Sequence, residues 1–102
     1  MNSIITDKIP QVVMLCKKYR VATMHVFGSA STDSFNENSD IDFLISFMND
    51  VSLEEYADNF FDLMFELDEL FGRNVDLVSE KTLSNPYFIH SVEQTKQLIY
   101  AA

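Results

Sequence analysis

Apolar residues are arranged along the chain in two different patterns, one typical of helices and the other of strands. Steps of three and four residues predict helices, whereas short runs rich in β-branched and aromatic residues predict strands. The pattern predicts helices over 4–20, 52–71 and 85–100, and strands over 22–27, 40–47 and 74–78. The predicted order is helix, strand, strand, helix, strand, helix, so the predicted fold class is α/β (α+β), with a small mixed sheet flanked by helices.

The helix over 52–71 has the clearest pattern. Ser52 is its expected N-cap and Gly72 its expected C′ residue. One face is predicted to enter the core, and its members are Leu53, Tyr56, Ala57, Phe60, Met64, Leu67 and Phe71. Phe61 and Phe65 widen this apolar arc beside a row of acidic residues. The wide arc is compatible either with a deep core and one exposed phenylalanine or with a partner-binding surface that has an acidic rim.

Prolines indicate where the other two helices begin. Pro10 fits the first turn of a helix that starts near Asp7 or Ile9. Asn85 is the expected cap of the last helix, with Pro86 at its first position.

Length and composition limit the class of protein. A chain of 102 residues with 47% apolar residues predicts a single domain over 1–102 with one core. No apolar run approaches the length that would span a membrane, and residues 1–7 do not resemble a secretory signal. Cys16 is the single cysteine, so no internal disulfide is expected and a reducing cytoplasm is the predicted location.

The charge of the chain argues against one class of partner. Sixteen acidic residues against seven lysines and arginines give a net charge of −9. Phosphate backbones would repel such a surface, so autonomous nucleic-acid binding is not expected. A nucleotide could still bind if Mg²⁺ neutralised the local carboxylates, and a basic protein could bind directly.

Gly28 and Ser29 end the first predicted strand. A glycine there lets the backbone approach a ligand closely, and a following helical turn would offer free N–H groups to an anion. Taken alone, the Gly-Ser pair is equally compatible with an ordinary tight turn.

Asp40 and Asp42 open the second predicted strand. Residues two apart in a strand point to the same face, so the two carboxylates are suited to a hard cation such as Mg²⁺. Solvated charge at a strand edge is the alternative. Aspartate is disfavoured in strands, however, and the rest of this strand is apolar.

Asp76 lies between apolar neighbours on the third predicted strand. If that strand lies beside the one carrying Asp40 and Asp42, three carboxylates converge near the Gly28-Ser29 turn. Such a site would perform phosphoryl transfer, with the turn holding phosphates and carboxylates binding Mg²⁺ or activating a hydroxyl.

The segment Val26-Phe27-Gly28-Ser29, ten intervening residues and Asp40-Ile41-Asp42-Phe43 resembles the signature of the DNA polymerase β-like nucleotidyltransferase superfamily. The spacing, the small size and Asp76 on an apolar strand resemble its minimal nucleotidyltransferase (MNT) branch. This resemblance implies that Gly28 and Ser29 contact the triphosphate, that Asp40 and Asp42 bind metal, and that Asp76 is the third carboxylate.

The resemblance also implies an activity and a partner. Members of the superfamily use Mg²⁺ to transfer a nucleoside monophosphate from a nucleoside triphosphate to a hydroxyl. Many MNT proteins are antitoxins of a HEPN-domain RNase, and some transfer AMP to that toxin. We therefore expect ATP as substrate, Mg²⁺ as cofactor and a HEPN-type toxin as partner.

One departure from the family pattern leaves other functions open. MNT members often continue Gly-Ser with a basic residue, but no lysine or arginine occurs between Arg20 and Arg73. Lys17, Lys18 or Arg73 would have to supply the cation from other elements. A binding-only antitoxin of the same fold is the first alternative. A nucleotidyltransferase for small molecules, with its acceptor domain on a separate chain, is the second.

Overall fold

A computed structural model describes residues 2–102, which form four helices, four strands and two 3₁₀ turns. The helices are α1 (Ser3–Thr6), α2 (Ile9–Lys18), α3 (Leu53–Phe71) and α4 (Pro86–Thr95). The strands are β1 (Val21–Phe27), β2 (Ile41–Phe47), β3 (Val75–Ser79) and β4 (Gln97–Ala101). The 3₁₀ turns are Gly28–Ser31, here named the glycine turn, and Glu80–Thr82. The mixed α/β fold class predicted from the sequence is confirmed.

The four strands form one sheet in the order β3-β2-β1-β4. β1 pairs antiparallel with both β2 and β4, whereas β2 and β3 are parallel. Because β2 and β3 are parallel, both begin at the edge of the sheet where β1 ends. The glycine turn therefore follows β1 at the same edge at which the acidic residues open β2 and β3.

The main core fills the space between one face of the sheet and helices α2 and α3. Alternate residues of β2 (Ile41, Phe43 and Ile45) are fully buried there against side chains of both helices. The buried helix residues that meet them are Val12, Cys16, Leu63 and Leu67. Period-two alternation on the strand thus places every second residue in the core.

The opposite face of the sheet carries a smaller apolar cluster. Phe27, Leu44 and Val92 of α4 are buried together, and Val78 and Leu83 pack against them. α4 covers only part of this face. The side chains that alternate with the main-core residues of β2 and β3 therefore lie on a face that is partly open to solvent.

The predicted ends of α3 and the predicted start of α4 agree with the structure. Ser52 Oγ accepts the N–H of Glu55, and Gly72 adopts the left-handed conformation after α3. Asn85 caps α4, and Pro86 is its first residue. The first predicted helix divides into two, since α2 begins at Ile9 with Pro10 in its first turn while residues 3–6 form a separate helical turn.

The prediction of a last helix over 85–100 is wrong in its second half. α4 ends at Thr95, Lys96 is extended, and residues 97–101 form strand β4 against β1. A short apolar run such as Leu98-Ile99-Tyr100 fits either structure by periodicity. Tertiary pairing decides here, because β4 satisfies the backbone groups along the outer edge of β1.

The predicted core face of α3 is also partly wrong. Leu53 is 82% exposed, whereas Leu63, which was not on the predicted face, is fully buried together with Leu67. Because α3 packs against both the sheet and α2, the most deeply buried residues of the helix are not all on the face that periodicity favours. Within residues 2–102, no helix is both long and apolar enough to cross a membrane.

Candidate active site

The glycine turn begins in a conformation that favours glycine. Gly28 has φ +68°, a region that residues with a side chain rarely adopt. A Cβ atom at this position would lie 2.7 Å from Asp42 Oδ2. Residue 28 must therefore be glycine both for its backbone angle and for the space that the Asp42 carboxylate occupies.

The sheet register brings the candidate carboxylates together. Asp42 lies opposite Phe27 of β1 on one side and opposite Asp76 of β3 on the other. Residues paired across neighbouring strands point to the same face, so the Asp42 and Asp76 side chains are adjacent. Asp40 precedes β2 and is exposed. The structure thus places Gly28, Asp42 and Asp76 in direct proximity, with Asp40 at the solvent side.

The electrostatics of this site favour a bound cation. Burial raises the pKa of the Asp42 carboxyl to about 6; hydrogen bonding to Asp76 and the negative charges of Asp76 and Asp40 act in the same direction. The ion pairs among residues 2–102 link Lys18 to Glu66, Arg20 to Asp50 and Lys96 to Glu93, away from these carboxylates. Like charges held together without a basic side chain are what a divalent cation can neutralise.

Mg²⁺ fits the donor set, because the side chains at this edge of the sheet offer carboxylate oxygens. Asp42 and Asp40 would be the first two ligands, with Asp76 as the third candidate. Across the described part of the chain, no three histidine, cysteine or acidic side chains are preassembled closely enough to enclose a metal ion. Phosphate oxygens and water would therefore have to complete the coordination, as is usual for Mg²⁺ in nucleotide sites.

Helix α4 holds the glycine turn in place. The Gly28 N–H donates to Thr95 Oγ1 at 2.8 Å, and the Ser31 hydroxyl donates to the Thr95 carbonyl at 2.6 Å. The Ser31 hydroxyl also lies 3.1 Å from the Gly28 carbonyl. Ser29, the other residue predicted to contact phosphate, is half-buried in the same turn, and its carbonyl accepts the N–H and hydroxyl of Thr32.

Sequence reasoning did not find Thr95 or Ser31. Their contacts depend on α4 ending at Thr95, where the chain turns into β4, and the predicted helix ran past this point. Nothing in the sequence marks Thr95, within a predicted helix, or Ser31, between predicted elements, as making a contact of this kind.

Two of the three basic residues considered as substitutes in the site, Lys18 and Arg73, have other partners. Lys18 pairs with Glu66 of α3 at 3.0 Å. The Arg73 guanidinium donates to the carbonyls of Asn36 and Ser39 at 3.1 and 3.0 Å. It also lies over the Phe35 ring. Arg73 therefore stabilises the loop that leads to Asp40, so its effect on the site is to position that loop.

Comparison with known proteins identifies the family. Residues 13–99 match the family of nucleotidyltransferase domains, so the chain belongs to that family. Two provisionally named protein adenylyltransferases of Methanocaldococcus jannaschii are 36% and 38% identical to it, each over 87 residues. The matches cover 85% of this chain and 83% of each relative. The family resemblance drawn from the Gly-Ser and Asp-x-Asp segments is thus confirmed.

Solved structures show the same fold. A structure described as a minimal nucleotidyltransferase superposes with TM-score 0.70 at 29% identity, covering 91% of this chain and 90% of the other. A toxin–antitoxin complex with AMP-PNP superposes with TM-score 0.72 at 19% identity, covering 92% and 73%. An MNT antitoxin with its tri-AMPylated HEPN toxin from Shewanella oneidensis gives TM-score 0.67 at 16% identity, covering 95% and 72%. At such low identity the last two show the fold alone.

Proposed function

We propose that this chain is a Mg²⁺-dependent nucleotidyltransferase that moves AMP from ATP to a hydroxyl group of a partner protein. The observation that carries the proposal is the register of the sheet, which sets Asp42 beside Asp76 and against Gly28. The names of the Methanocaldococcus relatives support adenylyl transfer to protein. The fold shared with MNT antitoxins supports a HEPN-type RNase toxin as the partner.

The residues of the site divide the work. The glycine turn would hold the triphosphate through the Ser29 hydroxyl and backbone amides that follow Gly28, because the first N–H groups of a helical turn have no partner within it. The Gly28 N–H itself donates to Thr95 Oγ1. Asp42 and Asp40 would bind Mg²⁺, with Asp76 as a third ligand or as the base. Bound Mg²⁺ would neutralise the phosphate oxygens and polarise the α-phosphate.

The transfer forms one bond and breaks one. The acceptor oxygen bonds to the α-phosphorus, and the bond from that phosphorus to pyrophosphate breaks. The hydroxyl proton passes to the carboxylate of Asp76, which lies at the open face of the sheet. The products are a phosphodiester on the partner protein and free pyrophosphate.

A binding-only antitoxin is the second candidate. It is favoured by the departure after Ser29, since the chain has no lysine or arginine between Arg20 and Arg73. In the structure Arg73 donates to loop carbonyls, which leaves it less free to meet phosphate. Either candidate implies a protein of the reducing cytoplasm that does not bind nucleic acid autonomously.

Transfer of labelled AMP tests the two candidates. The purified chain is incubated with Mg²⁺, its HEPN-type partner and ATP labelled at the α-phosphate. The same incubation is run with Asp42→Asn and with ATP labelled at the γ-phosphate. We expect a labelled partner only with α-label and wild-type protein, because AMP and not the terminal phosphate is moved.

Asp50→Asn is the matched control. Asp50 is an exposed aspartate beyond the far end of β2 and pairs with Arg20, so its loss should leave transfer unchanged. If no label is transferred while wild type and Asp42→Asn bind the partner equally well, the protein is a binding-only antitoxin.

A further inference from the structure

Strand β3 forms one edge of the sheet, and half of its backbone groups face outwards. Ile41 lies opposite Val75 and donates its N–H to the carbonyl of Asn74 at 3.2 Å. Hydrogen bonds alternate along a parallel ladder, so Val75, Leu77 and Ser79 direct their N–H groups away from β2. The Val75 N–H is capped by Asp68 Oδ1 at 2.8 Å. At the other end of the strand, the Ser79 carbonyl accepts the Thr82 hydroxyl at 3.0 Å. Between these two capped positions, Leu77 presents its N–H and carbonyl to a further strand, which can pair there.

An apolar groove runs beside this edge. It has a volume of about 340 Å³ and lies between α3 and β3, lined chiefly by Ala57, Phe60, Phe61 and Leu77. Phe61 is 61% exposed. A strand edge next to a groove that receives alternate side chains is the arrangement by which extended peptides are bound.

The charge around the groove indicates which kind of extended peptide segment could bind there. Asp58 and Asp62 are exposed on α3 next to groove residues, and Asp76 and Glu80 lie at the two ends of the β3 edge. Lys81 lies over the Tyr56 ring at one end and offsets part of this charge. A second copy of a chain with net charge −9 is a poor match, whereas a basic segment is attracted.

We propose that an extended basic segment of the protein that receives AMP adds to the β3 edge, with its acceptor residue opposite Asp76. This rests on the proposed transferase function and specifies how its acceptor is recognised. Side chains of paired strands point to the same face at each position. The acceptor hydroxyl would therefore lie on the carboxylate face beside Asp76, while the residues before and after it enter the groove.

The register and the surrounding charge together define a substrate class. The acceptor is a tyrosine, serine or threonine flanked on both sides by apolar residues that enter the groove. Lysine or arginine lies further out, where the acidic residues attract it. The acceptor oxygen bonds to the α-phosphorus as pyrophosphate leaves, and the adjacent Asp76 takes the hydroxyl proton. The adjacent apolar side chains would bury Phe61, which explains a large exposed aromatic residue at this place.

Synthetic peptides provide the test. The probe is the nonapeptide Lys-Val-Lys-Val-Tyr-Val-Lys-Val-Lys, and one control replaces every valine by threonine. A second control keeps the sequence but carries N-methyl groups on the three central residues, which removes backbone donors and leaves the side chains. Binding is measured by fluorescence anisotropy without ATP, and labelling of the peptide is measured with α-labelled ATP and Mg²⁺. We expect both controls to bind about tenfold more weakly than the probe.

Two exposed phenylalanines of α3 form a matched pair of variants. Phe61→Ser removes a groove residue, whereas Phe65→Ser removes a residue of similar exposure that does not line the groove. We expect about tenfold weaker binding of the probe to Phe61→Ser and unchanged binding to Phe65→Ser. Circular dichroism would verify that both variants are folded.

Equal binding of the probe and its N-methylated form would overturn the strand-pairing proposal. So would weaker binding in Phe65→Ser alone, which would place the partner on the outer face of α3. A wild-type dimer that dissociates in Phe61→Ser would make the groove a contact between two copies. These outcomes leave the transferase function intact if Asp42-dependent labelling of the whole partner persists, so the two proposals fail separately.

Discussion

The two faces of the sheet carry different kinds of residue, and strand β2 shows the difference within seven residues. On one face, Ile41, Phe43 and Ile45 are fully buried under α2 and α3. On the other face, Asp42 and Leu44 alternate with them beneath the partial cover of α4. The first face stabilises the fold by apolar burial, and this leaves the second free to hold a repulsive pair of carboxylates.

The comparison implies that stability and activity depend on different residues of one strand. Active sites commonly hold groups whose interactions disfavour the folded state until a ligand binds. In this protein the apolar residues of β2 and β3 would compensate for the cost of placing Asp42 beside Asp76. Substitutions on the main-core face should therefore lower stability more than activity. Substitutions on the carboxylate face should lower activity more than stability.

The largest expected effect is on the main-core face. Phe43→Ala should lower the free energy of unfolding by about 4 kcal/mol, because it leaves a cavity in the closed layer under α3. Leu44→Ala, on the face with partial cover, should cost about 2 kcal/mol because its surroundings can relax more freely. Urea denaturation monitored by circular dichroism measures both. Equal losses would show that the two faces contribute equally to stability.

The glycine turn offers the next largest effect. Gly28→Ala forces a Cβ to within 2.7 Å of Asp42 Oδ2 at a left-handed φ, so it should cost about 2 kcal/mol and displace the carboxylate. Gly72→Ala is the control, since it has a similar φ but no atom within 4 Å of the added Cβ. It should cost about 1 kcal/mol.

Transfer of labelled AMP separates the two glycine variants further. Gly28→Ala should lose at least about tenfold in rate, whereas Gly72→Ala should retain wild-type activity. If the two variants lose stability and activity equally, the contact between residue 28 and Asp42 has no role beyond the backbone angle.

The parts of the site that could be predicted from sequence are those that contradict a local preference. Asp42 and Asp76 interrupt apolar strands, and a glycine follows β1 where the chain must turn. Such departures from propensity are common at functional positions, where function requires the residue and the rest of the fold compensates for its cost. The strands that carry these residues could be predicted for a different reason, namely that the rest of each strand is a run of apolar residues.

Other parts depend on long-range packing that periodicity does not encode. The pairing of Asp42 with Asp76 requires β3 to lie beside β2 in one register, which the sequence could only suppose. β4 forms because the edge of β1 needs a partner, although Leu98-Ile99-Tyr100 fits a helix equally well by spacing. Thr95 could not be found without knowing where α4 ends.

The titration of Asp42 sharpens the contrast between the two faces. Its pKa in the folded protein is raised to about 6 by burial and by Asp76 and Asp40, above the ordinary value of 3.8. The folded state therefore binds this proton more tightly than the unfolded state. Without divalent cations, the stability that the protonated carboxyl provides is complete below about pH 4 and is lost as the pH rises through about 6.

Asp42→Asn should remove this pH dependence. At pH 7 the variant should be more stable than wild type by about 1 kcal/mol, after allowance for solvent screening of a half-exposed group. The difference should disappear near pH 4. Mg²⁺ should stabilise the wild type at pH 7 and leave Asp42→Asn nearly unchanged. Thermal denaturation between pH 4 and 8, with EDTA or Mg²⁺, measures all three effects, and equal Mg²⁺ stabilisation of the two proteins would argue against Asp42 as a ligand.

The smallest effect concerns the contact that joins α4 to the glycine turn. Thr95→Val keeps the shape of the side chain but removes the oxygen that accepts the Gly28 N–H at 2.8 Å. It should lower the free energy of unfolding by roughly 0.5–1 kcal/mol, since one partly buried donor loses its partner. Transfer of AMP should slow by a few-fold because the turn would be held less firmly. Thr95→Ser retains the hydroxyl and should restore both quantities. If Thr95→Ser is as impaired as Thr95→Val, the methyl group and not the hydrogen bond positions the turn.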